Sequence, residues 1–450
     1  MTEKLSRRAF LAATTTTAAA AFIPLRVNTA QVVPGKLSPN EKMRIAGIGV
    51  GGKGLNDIMS CRRENVVALC DVDWKNAEEA FYRLKDAKKY KDYRKMLEEM
   101  GDQIDGCTIS TPDHTHAPAA YMAMKLGKHV YVQKPLTHTI AEARLLSKVA
   151  RETGVTTQMG NQGHCGDGVR ELCEMIWAGA IGTVKEAHIW TNRPIWPQGI
   201  ADPLPEQPVP ETMDWDLWLS AAPFRPYNEK YAPFNWRGWW DFGCGAIGDM
   251  ACHIMDPAFW ALKLYEAKSY SVEVVTQEGI TGQCPPNKST IKYQFPARGD
   301  MGPVDVYWYD GGMKPERPAD IPEGQKLGNG DNGSLYIGTD GCATAGEYGD
   351  EARLLPDERM KDYARPPETI KRVRGQNPYF NWIRACKGED EAASHFDYAG
   401  PLTEVANMGN VALRAGQRIE FDVEAMKVTN AENANQWLTK AYRQGWELPV

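Results

Sequence analysis

Through the first third of the chain, short apolar runs alternate with longer stretches of helical character. Met43–Ile48, Asn65–Cys70, Ile104–Ser110, His129–Val132 and Val155–Met159 are each four to seven residues long and nearly continuous in apolar side chains. Such runs suit strands covered on both faces. Between them, residues 74–100, Pro118–Leu126 and Ile140–Thr153 read as helices, the first highly charged and solvated. The alternation predicts an α/β domain with a doubly wound parallel sheet over residues 43–160. Beyond residue 160 the pattern changes. A helix over Val169–Ala178 and a strand over Val184–Thr191 are followed by strand-like runs at Tyr270–Thr276, Thr290–Phe295, Val304–Tyr309, Ser334–Gly338 and Cys342–Gly346. They predict a second α/β domain, residues 161–425, with an open, mainly antiparallel or mixed sheet. Residues 192–235 are rich in Pro and Trp with little periodicity, as expected of a lid or binding loop. Residues 351–375 read as surface loop. Helices are expected at Asn377–Cys386 and Thr403–Ala415, and the tail 426–450 is expected to carry a last helix over Ala434–Arg443.

The first strand runs into Gly49-Val50-Gly51-Gly52-Lys53-Gly54, a Gly-x-Gly-x-x-Gly between strand and helix. Gly49 suits the tight turn, Gly51 the close approach of a pyrophosphate, and Gly54 the packing of helix on strand. A second register, Gly47, Gly49 and Gly52, also matches, but only the later one follows a whole strand. Asp71 ends the next strand, 22 residues after Gly49. An acid there accepts from a ribose 2′-OH and repels a 2′-phosphate, which favours NAD over NADP. Asp73 is the alternative, and Asp71 could instead merely cap a helix. Lys134 sits where the strand His129–Val132 meets Pro135, the strand end at which α/β sheets bind ligands. A Lys before a Pro is, taken alone, more often an ordinary surface residue; its company in the sequence changes that. Asp249 and His253 are four residues apart, so on a helix they share a face. His114 and His116 could form a metal pair, but no further ligands are spaced to complete one, and no metal is expected.

Net charge is −6, and −9 once residues 1–30 are set aside, which argues against nucleic acid as a partner. Those residues read as a targeting segment. Ser6-Arg7-Arg8-Ala9-Phe10-Leu11 is a twin-arginine pattern followed by an Ala/Thr run, with residues 31–42 a linker. That route implies contact with the twin-arginine translocation machinery and a periplasmic destination. The ten cysteines include no Cys-x-x-Cys, and Cys61, Cys70 and Cys107 read as buried thiols. Eight of the 14 Trp fall between Trp190 and Trp260, where they could stack on sugar faces or hold an irregular loop down.

The order of the glycine loop, Asp71, Thr111-Pro112-x-His114-x-His116, Lys134-Pro135 and Asp249-x-x-x-His253 resembles the Gfo/Idh/MocA family of sugar and inositol oxidoreductases. The closing segment, from Asp397-Tyr398-Ala399-Gly400-Pro401 to Trp446, resembles an exported bacterial branch of it. The resemblance implies an N-terminal Rossmann domain, NAD as cofactor, a carbohydrate substrate and homo-oligomers formed through the second sheet. It implies catalysis by Lys134, Asp249 and His253, with His253 the base at an imidazole pKa near neutral. It places Gly49, Gly51, Gly52, Lys53, Gly54, Asp71, Thr111, Pro112, His114, His116, Gln133 and Lys134 along the cofactor. Asn161, Gln162, His164 and Arg237 are candidate substrate contacts. The family's Glu-Lys-Pro is here Gln133-Lys134-Pro135, and the lost carboxylate implies a Lys134 that is easier to deprotonate.

Overall fold

The computed structural model describes residues 37–38 and 40–450, so the twin-arginine segment and most of the linker lie outside the described residues. Six strands, β1 (Arg44–Ile48), β2 (Asn65–Cys70), β3 (Lys88–Tyr90), β4 (Gly106–Ile109), β5 (His129–Val132) and β6 (Thr157–Met159), form a sheet in the order β3-β2-β1-β4-β5-β6. Every pairing in it is parallel. β4 and β5 are buried along their whole length, which is why they read as unbroken apolar runs. The order reverses between β1 and β4, and a crevice opens there at the carboxyl ends of the strands. Helix Ile140–Thr153 is set by sequence at both ends. Thr139 and Glu142 form a capping box, and Gly154 closes it at φ 67°.

Two expectations for this half are corrected. Residues 74–100 are not one helical stretch: β3 separates helices Glu78–Arg83 and Tyr93–Met100. A three-residue strand with two exposed Lys carries too little alternation to be seen. The helix after β4 begins at Asp113 rather than Pro118, so the two histidines lie in its first turn.

The second sheet has nine strands, β7 (Val184–Trp190), β8 (Ser269–Glu278), β9 (Lys288–Phe295), β10 (Val304–Tyr309), β11 (Gly333–Gly338), β12 (Gly341–Ala345), β13 (Arg353–Leu355), β14 (Ile419–Asp422) and β15 (Lys427–Val428), in the order β13-β12-β11-β7-β10-β9-β8-β14-β15. Only the β7–β10 pair is parallel, so the sheet is mixed and mainly antiparallel. The expected surface loop 351–375 contributes β13 and a short helix, and β14 and β15 had no counterpart in the sequence reading. The tail is corrected as well. Its start pairs into the sheet as β15, and in place of a helix Ala434–Arg443 there is one 3₁₀ segment, Glu432–Trp437. Helix Phe396–Ala415 starts seven residues before the expected Thr403. The loop 192–235 contains one short helix, Trp215–Leu219, capped by Asp214. Its Trp and Tyr side chains pack with Phe242 into an aromatic cluster of their own. For most of these Trp the loop-anchoring role therefore holds. All ten cysteines are buried free thiols.

Candidate active site

A cleft of about 500 Å³ runs from the glycine loop, across the ends of β1, β2, β4 and β5, to the helix Gly245–Ile254. At one end, Gly49 takes φ 73°, and any side chain there would strike the Ser110 carbonyl. A Cβ on Gly54 would collide with the Gly49 carbonyl, so the helix Lys53–Ser60 can approach the turn only through Gly. Gly47 belongs to β1, which leaves the register Gly49, Gly51, Gly54 for the turn. No side chain caps the N-terminus of that helix, and nothing lies within 4 Å of a Cβ built on Gly52. Bare amides at a helix start, open to a cleft, are suited to a pyrophosphate. The Asp71 carboxylate lies at the same end, accepting from the N–H of Val50 at 2.8 Å, Gly51 at 3.0 Å and Asp73 at 2.9 Å. These residues fit a dinucleotide with its adenosine ribose at Asp71.

Burial raises the Asp71 carboxyl to about 6, against the pull of those three amides. The anionic form is the better acceptor for ribose hydroxyls. Affinity for NAD should therefore hold above about pH 6 and weaken by up to about tenfold per pH unit below it. In Asp71→Asn both the affinity and this dependence should be lost; calorimetry of NAD binding from mildly acidic to mildly alkaline pH checks it, and an unchanged profile in the variant would remove Asp71 from the cofactor site.

At the other end of the cleft, Lys134 Nζ donates to Asp249 Oδ1 at 2.9 Å and to the Asp249 carbonyl at 2.6 Å. Arg237 Nε donates to the same Oδ1 at 3.0 Å. Burial alone would raise the Asp249 carboxyl, but Lys134 and Arg237 together hold it well below the usual carboxylate range. Helix Gly245–Ile254 is buried nearly all round, and the Asp249 side of it meets the cleft. His253, one turn on, also lines the cleft, with its ring edge-on to Tyr348 at 5.1 Å and no partner for Nδ1 among the described residues. Burial, followed by the charge of Lys134, pushes this imidazole well below its ordinary value. The expectation of a near-neutral pKa is corrected: the ring is neutral throughout the physiological range.

Gln133 does not leave Lys134 without a carboxylate, because Asp249 supplies one. Its amide points the other way, donating to Asp57 at 2.8 Å. Asp57 is wholly buried and also accepts from Ser110 Oγ at 2.6 Å, Tyr379 Oη at 2.6 Å and Lys53 Nζ at 2.8 Å. The premise that Lys134 has no carboxylate beside it is thereby corrected.

Thr111, Pro112, Gln162 and Arg237 line the cleft; His114, His116, Asn161 and His164 do not. His114 Nε2 lies 3.0 Å from the Trp218 carbonyl and Nδ1 3.2 Å from that of Phe242. His116 lies between the carbonyls of Pro135 at 2.8 Å and Thr111 at 2.9 Å, clamping the turn that presents Lys134. Burial pushes both rings down, to about 3 and about 4. His164 is stacked on Trp260 and faces the buried Asp256 at 3.0 Å. Asn161 is buried with its amide unpartnered among the described residues. These four are corrected from ligand contacts to internal residues. Asp113, Arg193, Trp196, Glu347 and Tyr348 line the cleft without having been singled out. Asp113 had a signal in its place just beyond β4, and Arg193 and Trp196 in the Pro- and Trp-rich loop; Glu347 and Tyr348 had none. Burial raises the Asp113 carboxyl to about 7.

Two family models match the chain in order. An oxidoreductase-family NAD-binding Rossmann fold covers residues 43–161, and the C-terminal alpha/beta domain of the same family covers residues 181–296. Together they span just over half of the chain. The protein belongs to the Gfo/Idh/MocA oxidoreductase family. Among curated relatives, an alpha-N-acetylgalactosaminidase of Shewanella oneidensis is 30% identical over 203 residues, 40% of this chain and 44% of the relative. A scyllo-inositol 2-dehydrogenase (NAD(+)) of Bacillus subtilis is 31% identical over 145 residues, 31% and 42% of the two chains. The matches thus span less than half the length of these relatives. Among solved structures, the WlbA dehydrogenase of Chromobacterium violaceum, in complex with NADH and UDP-GlcNAcA, superimposes at TM-score 0.60 and 16% identity, covering 87% of this chain and 99% of that one. An inositol dehydrogenase homolog of Azotobacter vinelandii, complexed with NADH and myo-inositol, gives TM-score 0.52 at 15% identity over 85% and 98%. At such identities the likeness is one of fold.

Proposed function

We propose that this Gfo/Idh/MocA protein is an NAD-dependent oxidoreductase acting on a secondary hydroxyl of a sugar, polyol or glycoside. The observation that carries the reading is the Lys134–Asp249 pair, formed between the end of β5 and a helix of the second half, in the cleft that also holds the glycine loop. Bound nicotinamide supplies the hydride acceptor or donor. Lys134, oriented by Asp249, donates to the substrate oxygen and steadies the charge that builds there as its proton leaves. The neutral His253 ring, which lines the same cleft, accepts that proton at the moment of transfer. Arg237, held over the faces of Trp236 at 4.2 Å and Phe234 at 4.6 Å, fixes Asp249 from the other side.

A second reading uses the same groups: transient oxidation, loss of a glycosidic substituent, and return of the hydride, giving net glycoside cleavage. The exposed Ile195 and Phe234 at the rim of the cleft supply an apolar seat for such a substituent, and the match to a glycosidase favours it. Incubating the protein with sugars, polyols and aryl glycosides separates the two. Accumulating NADH with a free sugar or polyol supports the dehydrogenase. Aglycone release without NADH supports the redox-neutral cleavage, and neither signal across the panel would sink both. We further propose, from Ser6–Leu11 alone, export by the twin-arginine route to the periplasm, and self-association through the nine-stranded sheet.

A further inference from the structure

A second cavity, of about 290 Å³, shares none of its lining residues with the catalytic cleft. Its walls come from the start of helix Ile140–Thr153, residues 240–244, helix Phe396–Ala415 and residues 436–441 of the tail. Helix Phe396–Ala415 presents Asn407, Asn410 and Arg414 to it, at a spacing that keeps all three on one face. Two of the charged groups in the wall are already paired. Lys440 Nζ meets the wholly buried Glu142 at 2.9 Å, and Asp241 meets Arg225 at 2.6 Å. Arg414 differs. Its guanidinium makes no hydrogen bond or ion pair among the described residues, and its central carbon lies 5.1 Å from the Trp240 ring and 5.3 Å from the Trp437 ring. Two aromatic rings thus hold the fork in place, so its N–H donors are set before a ligand arrives. Asn410 is the second unfilled group. Its Nδ2 donates to the Cys244 carbonyl at 2.8 Å, which fixes the amide with Oδ1 as the acceptor. Oδ1 is buried and has no partner among the described residues. A buried acceptor left without a donor is costly.

We propose that this cavity is a second small-molecule site, and that it takes a hydroxylated carboxylate of the size of one sugar-acid ring. The carboxylate pairs with the Arg414 fork, whose planar donors match two oxygens at once. A hydroxyl of the same molecule donates to Asn410 Oδ1. The two groups are one helical turn apart, about 5–6 Å between Cβ atoms, a span that one ring covers. A volume of about 290 Å³ lies at the small end of ligand pockets and suits a single ring, not an oligosaccharide. A neutral sugar would leave Arg414 unpaired, and a simple carboxylate would leave Asn410 unfilled. The inference stands apart from the reading of the catalytic cleft.

Calorimetry with D-glucuronate on the purified full-length protein tests the site. The wild type should bind it with a Kd of about 1 mM or tighter. D-Glucose, which lacks the carboxylate, and acetate, which lacks the hydroxyls, should each bind at least ~10-fold more weakly. Arg414→Gln should also lose at least ~10-fold in affinity for D-glucuronate; Arg414 is exposed, so the fold is not at stake. Gly282→Phe tests the space and not the charge. Gly282 lines the cavity, a Cβ built there meets nothing within 4 Å, and the added ring should fill the site and abolish binding. No binding of D-glucuronate by the wild type, or equal binding of D-glucose or acetate, overturns the proposal. So does wild-type affinity in both Arg414→Gln and Gly282→Phe, which would put the acid in the catalytic cleft or elsewhere.

Discussion

Lys134→Ala should lower kcat/KM by about 10²–10⁴-fold on whichever substrate the wild type turns over, with the nucleotide still bound. The same change should destabilise the fold, because Lys134 and Asp249 are both largely buried, at 16% and 13% side-chain exposure. Removing the Lys leaves the Asp249 carboxylate with Arg237 as its one charged partner among the described residues and forfeits two short charge-assisted hydrogen bonds, a cost of roughly 1–3 kcal/mol. The sign of its pH dependence follows from the depressed Asp249 carboxyl. Such a group adds stability above its unfolded pKa of about 3.9, and that stability is lost as pH falls through the lower folded value. The gap between wild type and variant should be full at neutral pH and close in strong acid. Denaturant melts at neutral and strongly acidic pH together with steady-state kinetics check this; a variant with wild-type turnover would remove Lys134 from the chemistry.

Gln133→Glu, the change that restores the family's usual residue, should harm this protein. It replaces a donor to the wholly buried Asp57 by a second carboxylate. The side chain cannot swing away on the side of Gly160, where a Cβ would already come within 2.8 Å of the Gln133 amide. Two carboxylates in one dry site cannot both ionise cheaply, so the introduced carboxyl should hold a proton above its usual range or cost roughly 2–4 kcal/mol. A raised carboxyl is least harmful below about pH 4.3, its unfolded value, and takes stability away as pH rises through the folded value. Melting temperatures should fall progressively behind the wild type as the pH is raised from mildly acidic to alkaline, and Asp57→Asn in the same chain should recover most of the difference. Equal melting curves at alkaline pH would show that the contact of residue 133 with the buried Asp57 does not matter to stability.

Much of the first sheet was legible because its strands are buried on both faces and so appear as unbroken apolar runs. β3, with only Tyr90 buried, did not. The early start of helix Phe396–Ala415 was hidden by Gly400-Pro401, which reads as a turn. In the fold, Gly400 lets that helix close on Ser147, whose Oγ donates to the Phe396 carbonyl at 2.8 Å. Lys134, Asp249 and His253 were legible through a strand end and an i, i+4 spacing. Arg193, Glu347 and Tyr348 reach the cleft from loops that carry no periodicity, so only the folded chain brings them there. His114 and His116 misled because a His-x-His reads as chemistry, whereas their rings serve the backbone, each held between two carbonyls. The pKa of His253 could not be read from its position along the chain, since burial sets it.

The ten thiols bear on the order of events in the life of the chain. In the folded protein they are beyond the reach of oxidants, and burial pushes thiols such as Cys107 and Cys252 up to about 12, so neither their chemistry nor their location invites pairing. In an unfolded chain the same ten are ordinary, reactive and free to cross-link in any combination. Exposure of this chain to an oxidant is therefore safe only after folding is complete. The export proposed above, if it carries a finished globule, meets that condition, and threading of an extended polypeptide does not.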